Sequence, residues 1–131
     1  MQIRSLLRSL NVPVYSAAIV PVLVAGSLAF HQTGEISYDG FVLALVGLII
    51  VQIGINVQND YFDAQTGVDQ SKEESFVNLW GNPRPVLFIF TIAFILGILI
   101  FLYFQFTIGG ITLILIVCSG AFLGFFYSAP P

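Results

Sequence analysis

The sequence predicts an all-α fold, a polytopic transmembrane helix bundle with four spans, and three observations carry that prediction. Apolar residues make up 57% of the chain and charged residues only 8%, a balance found in membrane proteins rather than soluble domains. No charged residue occurs from Gly40 to Gln58, and none from Pro85 to Pro131. The polar residues separate apolar stretches that can cross a bilayer at roughly 1.5 Å of helix rise per residue. The net charge of −3 means little when so few groups ionise. It offers no basic face for nucleic acid, so no nucleic-acid partner is expected.

Met1 to Leu10 is a short amphipathic lead carrying Arg4 and Arg8. The first span covers about 12–30. A secretory signal is the competing reading of this region. Pro13 and Pro21 interrupt its apolar run, no clean A-x-A site follows, and more spans come after, all of which argue against a signal. His31 to Asp39 is a polar connection, and the second span, about 40–60, runs into an acidic stretch. A hydrophilic loop is expected over 59–84, with Lys72, Glu73, Glu74 and Arg84. Gly81-Asn82-Pro83-Arg84-Pro85 marks a turn, because two prolines block helix continuation. The third span covers about 86–106, Gly109-Gly110 makes a tight turn, and the fourth covers about 111–126. Gly120 and Gly124 form a G-x-x-x-G pair that would let another helix approach closely. The single cysteine, Cys118, lies inside an apolar run, which rules out an intrachain disulfide or a thiolate metal cluster and leaves a packing role.

All four Lys and Arg residues precede the first span or lie between the second and third. The positive-inside rule therefore puts the N-terminus, the acidic stretch and the C-terminus on the cytoplasmic side of a cell inner (plasma) membrane.

The chain is organised around Asn59-Asp60-Tyr61-Phe62-Asp63-Ala64-Gln65-Thr66-Gly67-Val68-Asp69. Three carboxylates crowd here with no Lys or Arg among them, at the C-terminal end of a predicted helix whose unpaired carbonyls already carry partial negative charge. A cation relieves that arrangement, and Asp oxygens are hard ligands suited to Mg²⁺ shared with a phosphate-bearing substrate. At about 100° per residue, Gln52, Asn56, Asn59, Asp60 and Asp63 share roughly 100° of arc, while Gln58 points away. A polar stripe of this kind on an apolar helix marks a wet cavity reaching into the membrane. Asp69 rejoins that face only if the helix stops near Gly67.

Each of these features also has a plainer reading. The acidic stretch could be a solvated loop, though the stripe leading into it and its uncompensated charge count against that. Arg84 has the guanidinium geometry to grip phosphate, and equally the position of an interfacial anchor below the third span. Phe90, Phe94, Gly97, Phe101 and Phe104 share one face of that span. Such a stripe can wall a tunnel for an isoprenoid tail and steady a carbocation, but more often it is packing or lipid contact. His31, in a connection at the opposite face, has no expected catalytic role.

The form N-D-Y-F-D-x-x-x-G-x-D resembles the first Asp-rich motif of the UbiA-type intramembrane prenyltransferases, in the branch that includes dihydroxynaphthoate prenyltransferases of menaquinone synthesis. Arg8-Ser9-Leu10-Asn11 before the first span and Phe126-Tyr127-Ser128-Ala129-Pro130-Pro131 at the end of the fourth are weaker similarities. The resemblance implies a nine-helix bundle around a cavity open to the cytoplasm. It also implies that Asp60, Asp63 and Asp69 hold Mg²⁺ on a prenyl diphosphate, with Asn59 assisting and Asn56 and Asn11 facing the cavity. The allylic cation would then be attacked by a carbon of an aromatic acceptor. The sequence departs from the family in two ways: nothing after Asp69 supplies a second Asp-rich motif, and the segment from Lys72 to Arg84 lacks a basic run. These departures lead to the expectation that the chain is the N-terminal half of such an enzyme, inactive alone, whose further helices would be its partners. The rival is a non-enzymatic membrane subunit whose acidic loop binds a divalent cation or docks a partner.

Overall fold

The computed structural model describes residues 12–67 and 75–128. A 3-10 turn at Val12–Tyr15 leads into α1 (Ser16–Thr33), followed by α2 (Tyr38–Thr66), the short α3 (Phe76–Trp80), α4 (Pro83–Thr107) and α5 (Ile111–Ser128). The described residues form no strand, and the all-α prediction holds.

The boundaries follow local chemistry. The Ser16 hydroxyl donates to the Pro13 carbonyl across the start of α1. The helix then runs without a break through Pro21, as a continuous first span requires. Inside an apolar span, neighbouring groups tolerate the one backbone hydrogen bond that proline removes. The polar connection shortens to Gly34–Ser37 because α1 continues past His31, and Gly34 ends it in the left-handed conformation at φ 73°. Ser37 then caps α2 by accepting from the Gly40 amide.

At its other end α2 carries the acidic stretch as helix, not loop, through Thr66. Apolar packing on one side of the last two turns keeps those residues helical where charge pattern alone predicts a loop from 59 onward. The helix ends where the glycine was expected to stop it: Gly67 has φ 73°, and its amide donates to the Asp63 carbonyl. The segment before α4 includes α3, capped by Ser75, and Asn82 caps α4 itself by accepting from the Arg84 amide. Pro83 and Pro85 fit the first turn of α4, where a missing N–H costs nothing.

α1, α2 and α4 are long and apolar enough to cross a membrane. α5 is the shorter apolar helix of the set, where the sequence reading had counted a fourth full span. Its 18 residues rise about 27 Å, slightly under the hydrocarbon thickness. Large apolar side chains dominate the outward surface of the long helices: Phe88, Phe94, Leu99, Phe122 and Leu123 are all more than half exposed. Such a surface belongs in lipid. This is a multi-pass membrane protein.

The most extensive packing is between α2 and α4. Small residues permit it: a methyl group on Gly54 would lie 3.2 Å from the Ala93 Cβ, and one on Gly97 would lie 3.1 Å from Val51. Gly47 likewise faces Ile100. Backbones approach this closely in membranes because dispersion contact, not expulsion of water, drives helix association. The aromatic stripe of the third span is divided by this packing. Gly97 faces α2 and Phe90 joins the core below it, while Phe94 is exposed. Of the G-x-x-x-G pair, only Gly124 meets a neighbour, Ile55 of α2, and Gly120 faces open space. At the loop end, Val57, Phe76 and Val86 form a buried cluster ringed by Ile53, Tyr61, Trp80 and Phe90. This cluster fastens α3 across the end of α2 and sets the position of the acidic residues.

Candidate active site

The last four turns of α2 carry a line of amides and carboxylates. Gln52 Nε2 donates to Asn56 Oδ1 at 3.4 Å, one turn apart. One turn further on, Asn59 Nδ2 donates to Asp63 Oδ2 at 2.7 Å. The charge on Asp63 strengthens this second bond. Both pairs are of the i, i+4 kind that a helix brings into register. The structure thus assembles Gln52, Asn56, Asn59 and Asp63 as one stripe, each of them partly buried.

Asp60 has a different setting. It is 5% exposed, and its Oδ2 accepts the backbone amide of Phe76 at 2.9 Å. The carboxylate therefore sits at the start of α3, where helical N–H groups favour negative charge. It ties the segment beyond Gly67 back onto α2. Gln58, which the spacing had turned away from the stripe, is 4% exposed and donates to the Phe125 carbonyl at 3.0 Å. That carbonyl is in the last turn of α5, so Gln58 ties the end of that helix to α2. No periodicity in the sequence identified this role, because the partner is a backbone atom 67 residues away.

Arg84 is exposed in the first turn of α4. Asp69 and Asn11 lie outside the described residues. Among the described residues no three acidic, histidine or cysteine side chains converge on one point. Asp60, Asp63 and the Asn59 carboxamide nonetheless present hard oxygen donors, the kind that fits Mg²⁺ better than a softer metal.

Near the membrane-facing end of the stripe, the Tyr15 hydroxyl faces the Asn56 side chain. The two do not reach hydrogen-bond geometry, and Tyr15 Oη and Asn56 Nδ2 are both buried without a partner. Tyr15 stands outside every motif, and nothing in its spacing drew attention to it.

Residues 18–130 match the UbiA prenyltransferase family. The chain belongs to that family. It is 33% identical over 125 residues to a 2-carboxy-1,4-naphthoquinone phytyltransferase of Synechocystis sp., covering 95% of this chain and 41% of that protein. A chloroplastic 2-carboxy-1,4-naphthoquinone phytyltransferase of Arabidopsis thaliana is 32% identical, covering 95% of this chain and 32% of its own length. The chain thus spans between a third and two-fifths of the relatives it matches. No solved structure matches it.

Proposed function

We propose that this chain forms part of a prenyltransferase that moves a prenyl group from a prenyl diphosphate to a naphthoate- or naphthoquinone-type aromatic acceptor in quinone biosynthesis. The observation that carries the reading is the Asn59–Asp63 pair beside Asp60, at the end of a polar stripe inside an apolar helix. The two relatives, both named for phytyl transfer to a carboxynaphthoquinone, support the acceptor class.

In this reading Asp60, Asp63 and Asp69 hold a divalent cation, Mg²⁺ by donor type, whose charge would make the diphosphate a better leaving group. Asn59 steers Asp63, its amide donating to one carboxylate oxygen. Asp60 acts at two levels, because the carboxylate proposed to serve the cation also accepts the Phe76 amide and holds the start of α3. Arg84 contributes a bidentate grip on phosphate oxygens. The C1–O bond of the donor breaks, pyrophosphate leaves, and a ring carbon of the electron-rich hydroxynaphthoate acceptor forms the new bond to the allylic carbon, then loses its proton or its carboxyl group as CO2 to restore the aromatic ring. The stripe lies on the cytoplasmic side of the plasma membrane, as the basic residues indicate.

The test uses the full-length enzyme in lipid vesicles, with a radiolabelled prenyl diphosphate and 1,4-dihydroxy-2-naphthoate. Label should move to the acceptor, stop on adding EDTA and resume with Mg²⁺. Absence of transfer to that acceptor and to its quinone form would overturn the reading.

A further inference from the structure

We infer that Tyr15 and Asn56 form the subsite that receives an oxygen substituent of the aromatic acceptor, with Tyr15 as a positioning residue for the reaction. This rests on the prenyltransferase reading and adds to it a residue and a specific contact.

Two buried polar atoms without partners lie together: Tyr15 Oη and Asn56 Nδ2. Buried polar groups are nearly always satisfied, and each exception calls for an explanation. The pair is not a loose end of the chain. Gln52 occupies Asn56 Oδ1, which fixes the amide so that its NH₂ group is the side left over. What remains is an NH₂ with protons to give and a phenol that can give one more. An NH₂ group and a neighbouring phenol, both short of hydrogen-bond geometry with each other, can together donate to an oxygen with two lone pairs, such as a carbonyl, a naphtholate or a carboxylate. They do not fit a prenyl tail, which has no lone pair to offer.

The register supports the acceptor over the diphosphate. Asn56 precedes Asp63 by two helical turns, about 10 Å along the axis. A diphosphate held at Asp63 would leave an allylic carbon on the membrane side of the carboxylates. An acceptor oxygen held by Tyr15 and Asn56 would bring the ring beside that carbon. Tyr15 comes from the 3-10 turn that precedes α1, so the first and second helices would share the acceptor between them. An acceptor lacking the oxygen would leave both buried atoms unpaired and so bind less well.

The experiment compares wild-type full-length enzyme with Tyr15→Phe and Asn56→Leu, varying each substrate in turn. Tyr15→Phe should raise KM for 1,4-dihydroxy-2-naphthoate about tenfold, as expected for one buried hydrogen bond, with KM for the prenyl diphosphate unchanged. An analogue lacking one ring hydroxyl should be a poorer substrate for wild type, and Tyr15→Phe should not penalise that analogue further. The hydroxyl has no partner in the protein, so Tyr15→Phe should not lower the melting temperature. A merely structural role predicts the opposite: a lower melting temperature and both KM values shifted together. An unchanged acceptor KM in Tyr15→Phe, or a penalty equal for both acceptors, overturns this inference and leaves the prenyltransferase reading intact. Absence of prenyl transfer by wild type overturns that reading and this inference with it.

Discussion

Replacing Asp60 by asparagine and by alanine separates the two roles this carboxylate has been given. Its Oδ2 accepts the Phe76 amide at 2.9 Å, and Asp60 and Phe76 are 5% and 4% exposed. Alanine removes the acceptor and leaves the Phe76 N–H buried without a partner, which costs about 2 kcal/mol. That is roughly a thirtyfold increase in local opening of the segment that α3 belongs to. Asparagine keeps a carboxamide oxygen for the same amide and gives up only the charge assistance, about 1 kcal/mol or roughly fivefold. Hydrogen exchange read on a peptide covering 75–80, in the full-length enzyme in detergent, measures the opening directly. Prenyl transfer should respond differently. A cation and a diphosphate need the charge, so both substitutions should lower transfer about a hundredfold or more. Asp60→Asn should therefore keep most of its exchange protection and lose its activity. Wild-type turnover by Asp60→Asn would refute the metal role. Equal protection in the two variants would refute the structural role, because the hydrogen bond to Phe76 would then hold nothing.

Three further predictions follow from the same geometry. Asp63→Ala should abolish transfer beyond rescue by excess Mg²⁺, with Asp69→Ala milder; normal turnover by the Asp63 variant in a steady-state assay would remove the central claim. Gly54→Leu should force α2 from α4, because even a methyl group there lies 3.2 Å from Ala93; overpacking costs about 1–3 kcal/mol, seen as a lower melting temperature in detergent, whereas Gly120→Ala, in open space, should leave it unchanged. A cysteine placed at Thr33 should react with an impermeant thiol reagent from outside intact cells and one at Gln70 should not, with reversed labelling inverting the orientation.

Much of the membrane architecture could be read from composition, because a span must be apolar for its whole length and this is visible residue by residue. The polar stripe was legible for the same reason: Gln52, Asn56, Asn59 and Asp63 stand out against oil, and a 3.6-residue period places them on one side. The N-D-Y-F-D motif carried the family. For the acidic stretch the sequence left two readings side by side, a helix stopping near Gly67 and a loop from 59 onward, and the cluster of Val57, Phe76 and Val86 shows why the last turns of α2 persist.

The sequence by itself determined the class of protein, the places where its helices turn, and the residues that would carry chemistry. Glycine at position 67 ends α2 for a local reason, since few other residues adopt φ 73° without strain. Tertiary structure decided which polar group meets which. Asp60 turns to the Phe76 amide, Gln58 to the carbonyl of Phe125, and Tyr15 comes to face Asn56. Each of these depends on elements far apart in sequence being brought together by packing of α2 against α1, α4 and α5. Helical period fixes the direction of a side chain about its own axis, but what stands opposite is fixed by the packing of the other helices.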